Sequence, residues 1–277
     1  MDLGQVGDRG GVLPGRLLAF ADADTATRVE DLYTSQAGRC FDWLESQTAY
    51  GMRGHHGDGQ TAEVVPGSGF LGWVMVHRAA RPVAGRIVGD PHFHFHYSLA
   101  NLTRGSDGRW STVAAGGRDL MRHAPAVDKL TQALVRHALA AELGVGFVRD
   151  GRTRLWETDG VPVETLRAFS KRGADIQALL RDLGFDPSEA SRAVQQVAEQ
   201  RSRGRKSEAT EAPDATLREL WQREARERGW DPDAIARRVL HRDGPDGAAG
   251  PDPGSRRAGP QDCSPLSPRS ISLQNSR

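Results

Sequence analysis

Histidines are the side chains whose type and spacing promise chemistry in this chain. Nine occur, and three of them alternate with aromatic residues as His92–Phe93–His94–Phe95–His96. On a strand, residues i and i+2 share a face with Cα atoms roughly 6.5 Å apart. Two neighbouring imidazoles of this run can therefore close on one ion while Phe95 turns the other way. All three would span roughly 13 Å on a straight strand, too far for a single metal. A third ligand has to come from a neighbouring strand. His77 closes just such a segment, the short apolar run Gly69–His77 (GFLGWVMVH). Neutral imidazole suits Zn, Mn, Ni or Fe better than calcium. A lone His-x-His pair is more often structural than ligating, but the partnership with His77 tips the reading to a metal site. His55 and His56 lie in the Gly-rich stretch GMRGHHGDGQ, a loop by composition, and are left out of it.

These strands need a frame. From Asp24 to about Ser46, Val29, Leu32, Tyr33, Cys40 and Leu44 recur at helical spacing, which predicts one amphipathic helix with Gly38 as its weakest point. The segment His94–Arg104 reads as a strand with His94, His96 and Ser98 on one face and Phe95, Tyr97 and Leu99 on the other. Gly105–Gly108 then turns it into a returning strand, Arg109–Val113. A helix opened by Pro125 and stopped by Gly144 follows, and then a second hairpin turned at Asp150–Gly151. Pro162 begins a further helix ending near Gly184, and Asp186–Pro187–Ser188–Glu189 has the make-up of a capped helix start. Strands followed by helices predict an α+β domain, an antiparallel sheet core with flanking helices, over residues 24–200. Residues 1–23 lack clear periodicity and read as an irregular N-terminal segment. Residues 201–213 read as a linker, and 214–242 as a small helical segment begun by the caps Asp214 and Asp231. Residues 243–277, rich in Pro, Gly and Ser and without an aromatic, read as a disordered tail.

Bulk properties narrow the classes. At 277 residues and 30.1 kDa the chain suits one domain with appendages or two small ones. Hydrophobic residues make up 38% and mean hydropathy is −0.55, so a good share of the chain stays solvated. A formal net charge of +1 neither demands nor excludes nucleic acid; the clustering of the arginines decides that. No apolar run approaches the roughly 18 residues that cross a bilayer, and no leader pattern opens the chain. Cys40 and Cys263 lie far apart, which points to a reducing cytoplasm rather than a disulfide scaffold.

Pro91–His92–Phe93–His94–Phe95–His96 resembles the Pro-x-hydrophobic-His-x-His run of the MobF (TrwC/TraI-type) conjugative relaxases, in the HUH endonuclease class. Leu99–Ala100–Asn101 matches the end of that strand. His77–Arg78–Ala79–Ala80–Arg81 is similar to the family's His-x-Thr-Ser-Arg, with Ala in place of both Thr and Ser. The likeness continues through Asp107–Gly108–Arg109–Trp110, the helix around Gln132–Arg136–Glu142–Leu143–Gly144, and Leu166–Arg167–Ala168–Phe169–Ser170–Lys171–Arg172. It reaches Leu217–Trp221 and Gly229–Asp231–Pro232, and so covers roughly residues 24–242.

The resemblance implies a relaxase palm that is incomplete at its N-terminus. It selects His94 and His96 as paired ligands and His77 as the third, with His92 on a variable position and in reserve, because Pro82–Gly89 lengthens the spacing from His77. It implies a divalent metal ion, with Mg, Mn, Zn and Ni all open, and single-stranded DNA at a transfer origin as partner, alongside other conjugation proteins. A cytoplasmic monomer is expected. In such enzymes a tyrosine hydroxyl attacks the DNA phosphodiester, and the family's nucleophiles lie upstream of the helix matched by Asp24–Ser46. Only Tyr33, Tyr50 and Tyr97 occur here, and none stands at that position. The expectation is therefore a relaxase fragment without its nucleophile, and no catalytic residue is assigned. An upstream acidic residue that orients a metal-bound histidine in the family also finds no counterpart. Candidate DNA contacts are Arg81, Arg104, Arg109, Lys171 and Arg172, with Trp110 as a stacking surface, although each alone reads more plainly as part of a solvated basic face. Two other readings compete: a metal-stabilised single-stranded DNA-binding accessory without catalysis, and an unrelated metal hydrolase built on His-x-His.

Overall fold

The computed structural model describes residues 2–6, 15–54, 58, 61–83, 86, 88–151, 155–202 and 213–240, all within one compact unit, Met1–Arg242. The expected linker lies mostly, and the expected tail wholly, outside the described residues, as do His55 and His56.

A three-stranded antiparallel sheet in the order β1-β5-β4 carries the histidines. Its strands are β1 (Asp2–Val6), β4 (Gly72–Ala79) and, between them, β5 (Pro91–Leu99). Three small hairpins accompany it: β2 (Tyr50–Arg53) with β3 (Glu63–Pro66), β6 (Thr103–Arg104) with β7 (Trp110–Ser111), and β8 (Phe147–Arg149) with β9 (Trp156–Thr158). The α+β class read from the sequence is the class observed.

Alternation along β5 decides which face is the core. Phe93, Phe95, Tyr97 and Leu99 are all buried, and they pack against two long helices, α2 (Ala23–Thr48) and α3 (Arg118–Leu143). Tyr33 of α2 meets Phe93 edge-on at 5.1 Å, and Phe41 stacks on Tyr97 at 4.5 Å. Offset and edge contacts of this kind add to what area burial alone contributes. Helix α2 starts because Asp22 caps it, accepting a 2.9 Å bond from the Thr25 backbone N–H. It then runs unbroken through Gly38.

A second core joins the segment before α2 to the last described helices. Phe20 of α1 (Gly15–Phe20) meets Phe169 at 5.3 Å, and both pack with Leu217, Trp221 and Ala225 of α7 (Asp214–Glu227) and Ile235 of α8 (Pro232–Leu240). The helical pair α7–α8 is thus packed against α1 and Phe169 within the same compact unit rather than standing apart. Arg16, 3% exposed, reinforces this corner: its guanidinium donates to Glu157 Oε2 at 2.9 Å, to the Leu166 carbonyl and to Ser170 Oγ.

Several sequence-derived boundaries shift, each for a local reason. The N-terminal stretch contains strand β1 and helix α1 rather than being irregular throughout. Pro125 does not open its helix but lies inside α3, which begins at Arg118; it removes only the donor that would reach the Met121 carbonyl. The long strand ends at Leu99, and the returning hairpin is reduced to β6 and β7. The helix after Pro162 is two, α4 (Val163–Ala168) and α5 (Lys171–Asp182), because Phe169 turns into the second core. Asp186 bonds to the Ser188 N–H and hydroxyl in a local turn, so α6 (Arg192–Arg201) waits for the Ser191 cap. Asp231, in contrast, caps α8 as expected through the Asp233 and Ala234 N–H groups.

Candidate metal centre

The pairing register places the site. His77 of β4 stands opposite His94 of β5, and Met75 opposite His96. Side chains two apart share a face, so His77, His94 and His96 all rise from the side of the sheet opposite α2 and α3. Their rings lie 4.8–5.3 Å apart, centroid to centroid, and each offers a nitrogen within 4.8 Å of the others. The strand that the spacing argument required for a third imidazole is the adjoining one. His92, the reserve, stacks on His94 at 4.5 Å but is outside the three-nitrogen group.

His94 is the anchor of the group. It is 5% exposed, and its Nδ1 lies 2.9 Å from the His92 backbone carbonyl. A carbonyl can only accept, so that contact places the ring proton on Nδ1 and leaves the Nε2 lone pair for another purpose. Burial, more than the neighbouring imidazoles, pulls its pKa from 6.5 to about 3. The ring is therefore neutral at physiological pH, the protonation state a metal ligand needs.

The end of the sheet next to the histidines is basic. Arg81, Lys171 and Arg172, three of the five candidate DNA contacts, line one crevice with Asp90. Lys171, however, is committed within the protein: its ammonium lies 2.9 Å from both Asp90 Oδ1 and Glu224 Oε2, and its backbone N–H donates to Asp90 Oδ2. Its charge locks the approach to β5 onto α5 and α7 and is neutralised there; Trp221 adds a bond from its indole N–H to the Gly89 carbonyl. Arg104 and Arg109 sit instead on the exposed β6–β7 hairpin beside Trp110, where Arg53 clamps Asp107 through two bonds of 2.7 and 2.8 Å.

Two of the three tyrosines are removed from the histidine face. Tyr33 and Tyr97 are buried in the helix-side core, 2% and 5% exposed. Tyr50, on β2, donates its hydroxyl to Asp119 Oδ2, and that bond raises its pKa above the usual phenol range.

A model of the TrwC relaxase family matches residues 16–228. The chain belongs to the TrwC relaxase family. Similar solved structures share its fold: a conjugative relaxase TrwC in complex with OriT DNA, metal-free, aligns at a TM-score of 0.65 with 21% identity over 79% of this chain and 72% of that one. A metal-bound TrwC–OriT DNA complex aligns equally well, with 20% identity over 79% and 70% of the two chains. TrwC complexed with a 27-mer DNA comprising the recognition hairpin and the cleavage site gives 0.62, with 21% identity over 79% and 72%. No curated protein matches the chain. Membership of this family sets aside the unrelated-hydrolase reading. Among the described residues, no helix of this TrwC-family domain is long and apolar enough to cross a membrane.

Sequence reasoning missed Trp73 and Met75, which precede His77 by four and two positions and so share its face. The same period-two count that placed the histidines would have found them. It also missed Asp90, whose role depends on a helix 81 residues away.

Proposed function

We propose that this TrwC-family domain holds a divalent metal ion between His77, His94 and His96 and binds single-stranded DNA of a transfer origin across that face. The observation that carries the reading is the convergence of three imidazoles from two adjoining strands, one of them held in its Nδ1–H tautomer by a backbone carbonyl. The donor set fits: three neutral nitrogen ligands suit Mn, Ni or Zn, and a more weakly bound Mg, and leave room for a phosphate oxygen. A bound ion would supply Lewis-acid polarisation of the scissile phosphate. The chain's own contribution is to orient: β5 fixes two rings, β4 the third, and Arg81 with Arg172 places cationic charge where a phosphate backbone passes. The solved TrwC complexes, one metal-bound and others with OriT DNA, support this reading by shared fold.

Strand cleavage also needs a nucleophile. Tyr33 and Tyr97 are buried on the wrong face, and Tyr50 is engaged by Asp119. We therefore read these residues as the metal- and DNA-holding part of a conjugative relaxase, with no catalytic residue assigned among the three tyrosines. Metal titration of the purified protein should give one site per chain that disappears in the His94→Ala/His96→Ala variant. Unchanged stoichiometry in that variant would remove the site. Metal-dependent cleavage of an origin oligonucleotide with covalent attachment to Tyr50 would overturn the exclusion of Tyr50 as nucleophile.

A further inference from the structure

The histidine face does not end at the histidines. Two residues back along β4 from His77 is Met75, and two further back is Trp73, both exposed and both on the same side of the pleat. Trp73 is 64% exposed, more than any other large apolar side chain among the described residues. It stands opposite Ser98 of β5, so His96 is its diagonal neighbour across the strands, roughly 7–8 Å away and within reach of an aromatic ring. On the opposite face of β4, Val74 packs against the main core and Arg78 forms two bonds with Glu30 of α2, while Val76 between them is 36% exposed. Trp73 thus stands largely in solvent beside the imidazole group.

We propose that Trp73, backed by Met75, is a stacking platform for one nucleobase of the single-stranded DNA, next to the nucleotide whose phosphate meets the imidazole group. The proposal rests on the functional reading above. Leu71, Trp73 and Met75 form a line of exposed side chains on this face that runs into the imidazole group, and the ligand the functional reading brings to those imidazoles is single-stranded DNA. A flat indole in that position offers a base a ring to stack on. Beyond the end of β4, Arg81 lines a crevice with Asp90, Lys171 and Arg172. Trp73 to His77 covers about 13 Å of strand, a distance on the scale of a few nucleotides rather than many. Because every base has a π-face, the platform would add affinity with little sequence preference.

The test is fluorescence anisotropy with a fluorescein-labelled oligothymidine and metal-loaded protein at fixed salt. Trp73→Ala should weaken binding about five- to tenfold, and Trp73→Phe by no more than about twofold, because a phenyl ring still stacks. Replacing the thymidines with abasic residues should erase the difference between wild type and Trp73→Ala. Equal affinity of wild type and Trp73→Ala, alongside a loss in His94→Ala, would overturn the platform and leave the DNA-binding face standing. Absence of oligonucleotide binding by the wild type would remove both. A Trp73-dependent dimer in sedimentation, with no Trp73 effect on DNA, would assign the ring to a second copy instead and overturn the proposal. Melting of Trp73→Ala should match the wild type, since so exposed a ring contributes little to folding.

Discussion

The two faces of the three-stranded sheet are built from the same strands by opposite rules. On the helix side, β5 offers Phe93, Phe95, Tyr97 and Leu99 to α2 and α3, and each is 5% exposed or less. On the other side the same strand offers His92, His94, His96 and Ser98, and β4 adds Trp73, Met75 and His77. One face is satisfied by packing; the other keeps imidazole nitrogens within 4.8 Å of one another and an indole in solvent. The difference teaches where to cut. A change on the packed face should cost folding and, through it, everything else. A change on the histidine face should cost ligand affinity and leave the fold in place.

Phe95→Ala should give the largest effect. Phe95 touches Tyr33, Phe93 and Tyr97, and truncation leaves a cavity between sheet and helix. A loss of about 3–5 kcal/mol in urea unfolding is expected. A loss under about 1 kcal/mol would mean that this face is not the core the register says it is.

The histidine face should respond to metal and to pH instead. With metal at about a hundred times its dissociation constant, binding should stabilise the wild type by about 2.7 kcal/mol, and His94→Ala should abolish that gain. Without metal, His94 makes the fold pH-sensitive in a defined direction. Its folded pKa is about 3 and the ordinary value is 6.5, so between these limits the unfolded chain takes up a proton that the folded one refuses. Stability is unaffected by this ring above about pH 6.5 and falls progressively as the pH drops from there toward 3. Thermal melts of wild type and His94→Gln from pH 7.5 to 4 check it: the wild-type curve should fall more steeply.

How much of this was legible in the sequence follows from the range of the interactions. The His94–Phe95–His96 alternation encodes both faces of β5 locally, because the pleat repeats every two residues. His77 was reachable because its own strand was short and apolar. The Phe169 break between α4 and α5 was not, since it depends on Phe20, about 150 residues earlier. Asp186 was misassigned for a related reason: an aspartate followed by proline and serine fits both a helix cap and a closed turn, and only the geometry chooses. Lys171 looked like a surface cation because nothing near it in sequence shows Asp90 and Glu224 closing around its ammonium.

Lys171 and Arg81 sharpen the comparison further, because they share one crevice yet should fail differently. Lys171→Met removes the cation between Asp90 and Glu224, leaving Asp90, 7% exposed, with a weakened set of partners. Hydrogen bonds to charged groups are worth about 1.5–3 kcal/mol, and a loss of that size in stability is expected. The salt dependence of oligonucleotide binding should not change, since the ammonium was neutralised before any DNA arrived.

Arg81→Ala should do the reverse and give the smallest effect on folding, within about 0.5 kcal/mol. If Arg81 contacts a phosphate, its removal should lower the slope of log affinity against log salt by about 0.7, the single-strand value for one neutralised phosphate, uniformly across sequences. Anisotropy titrations between low and moderate salt measure that slope directly. An unchanged slope in Arg81→Ala together with a reduced one in Lys171→Met would invert the assignment. The bridge seen between Asp90, Lys171 and Glu224 would then have to open when DNA binds, and the crevice would have to be read as a latch rather than a fixed basic wall.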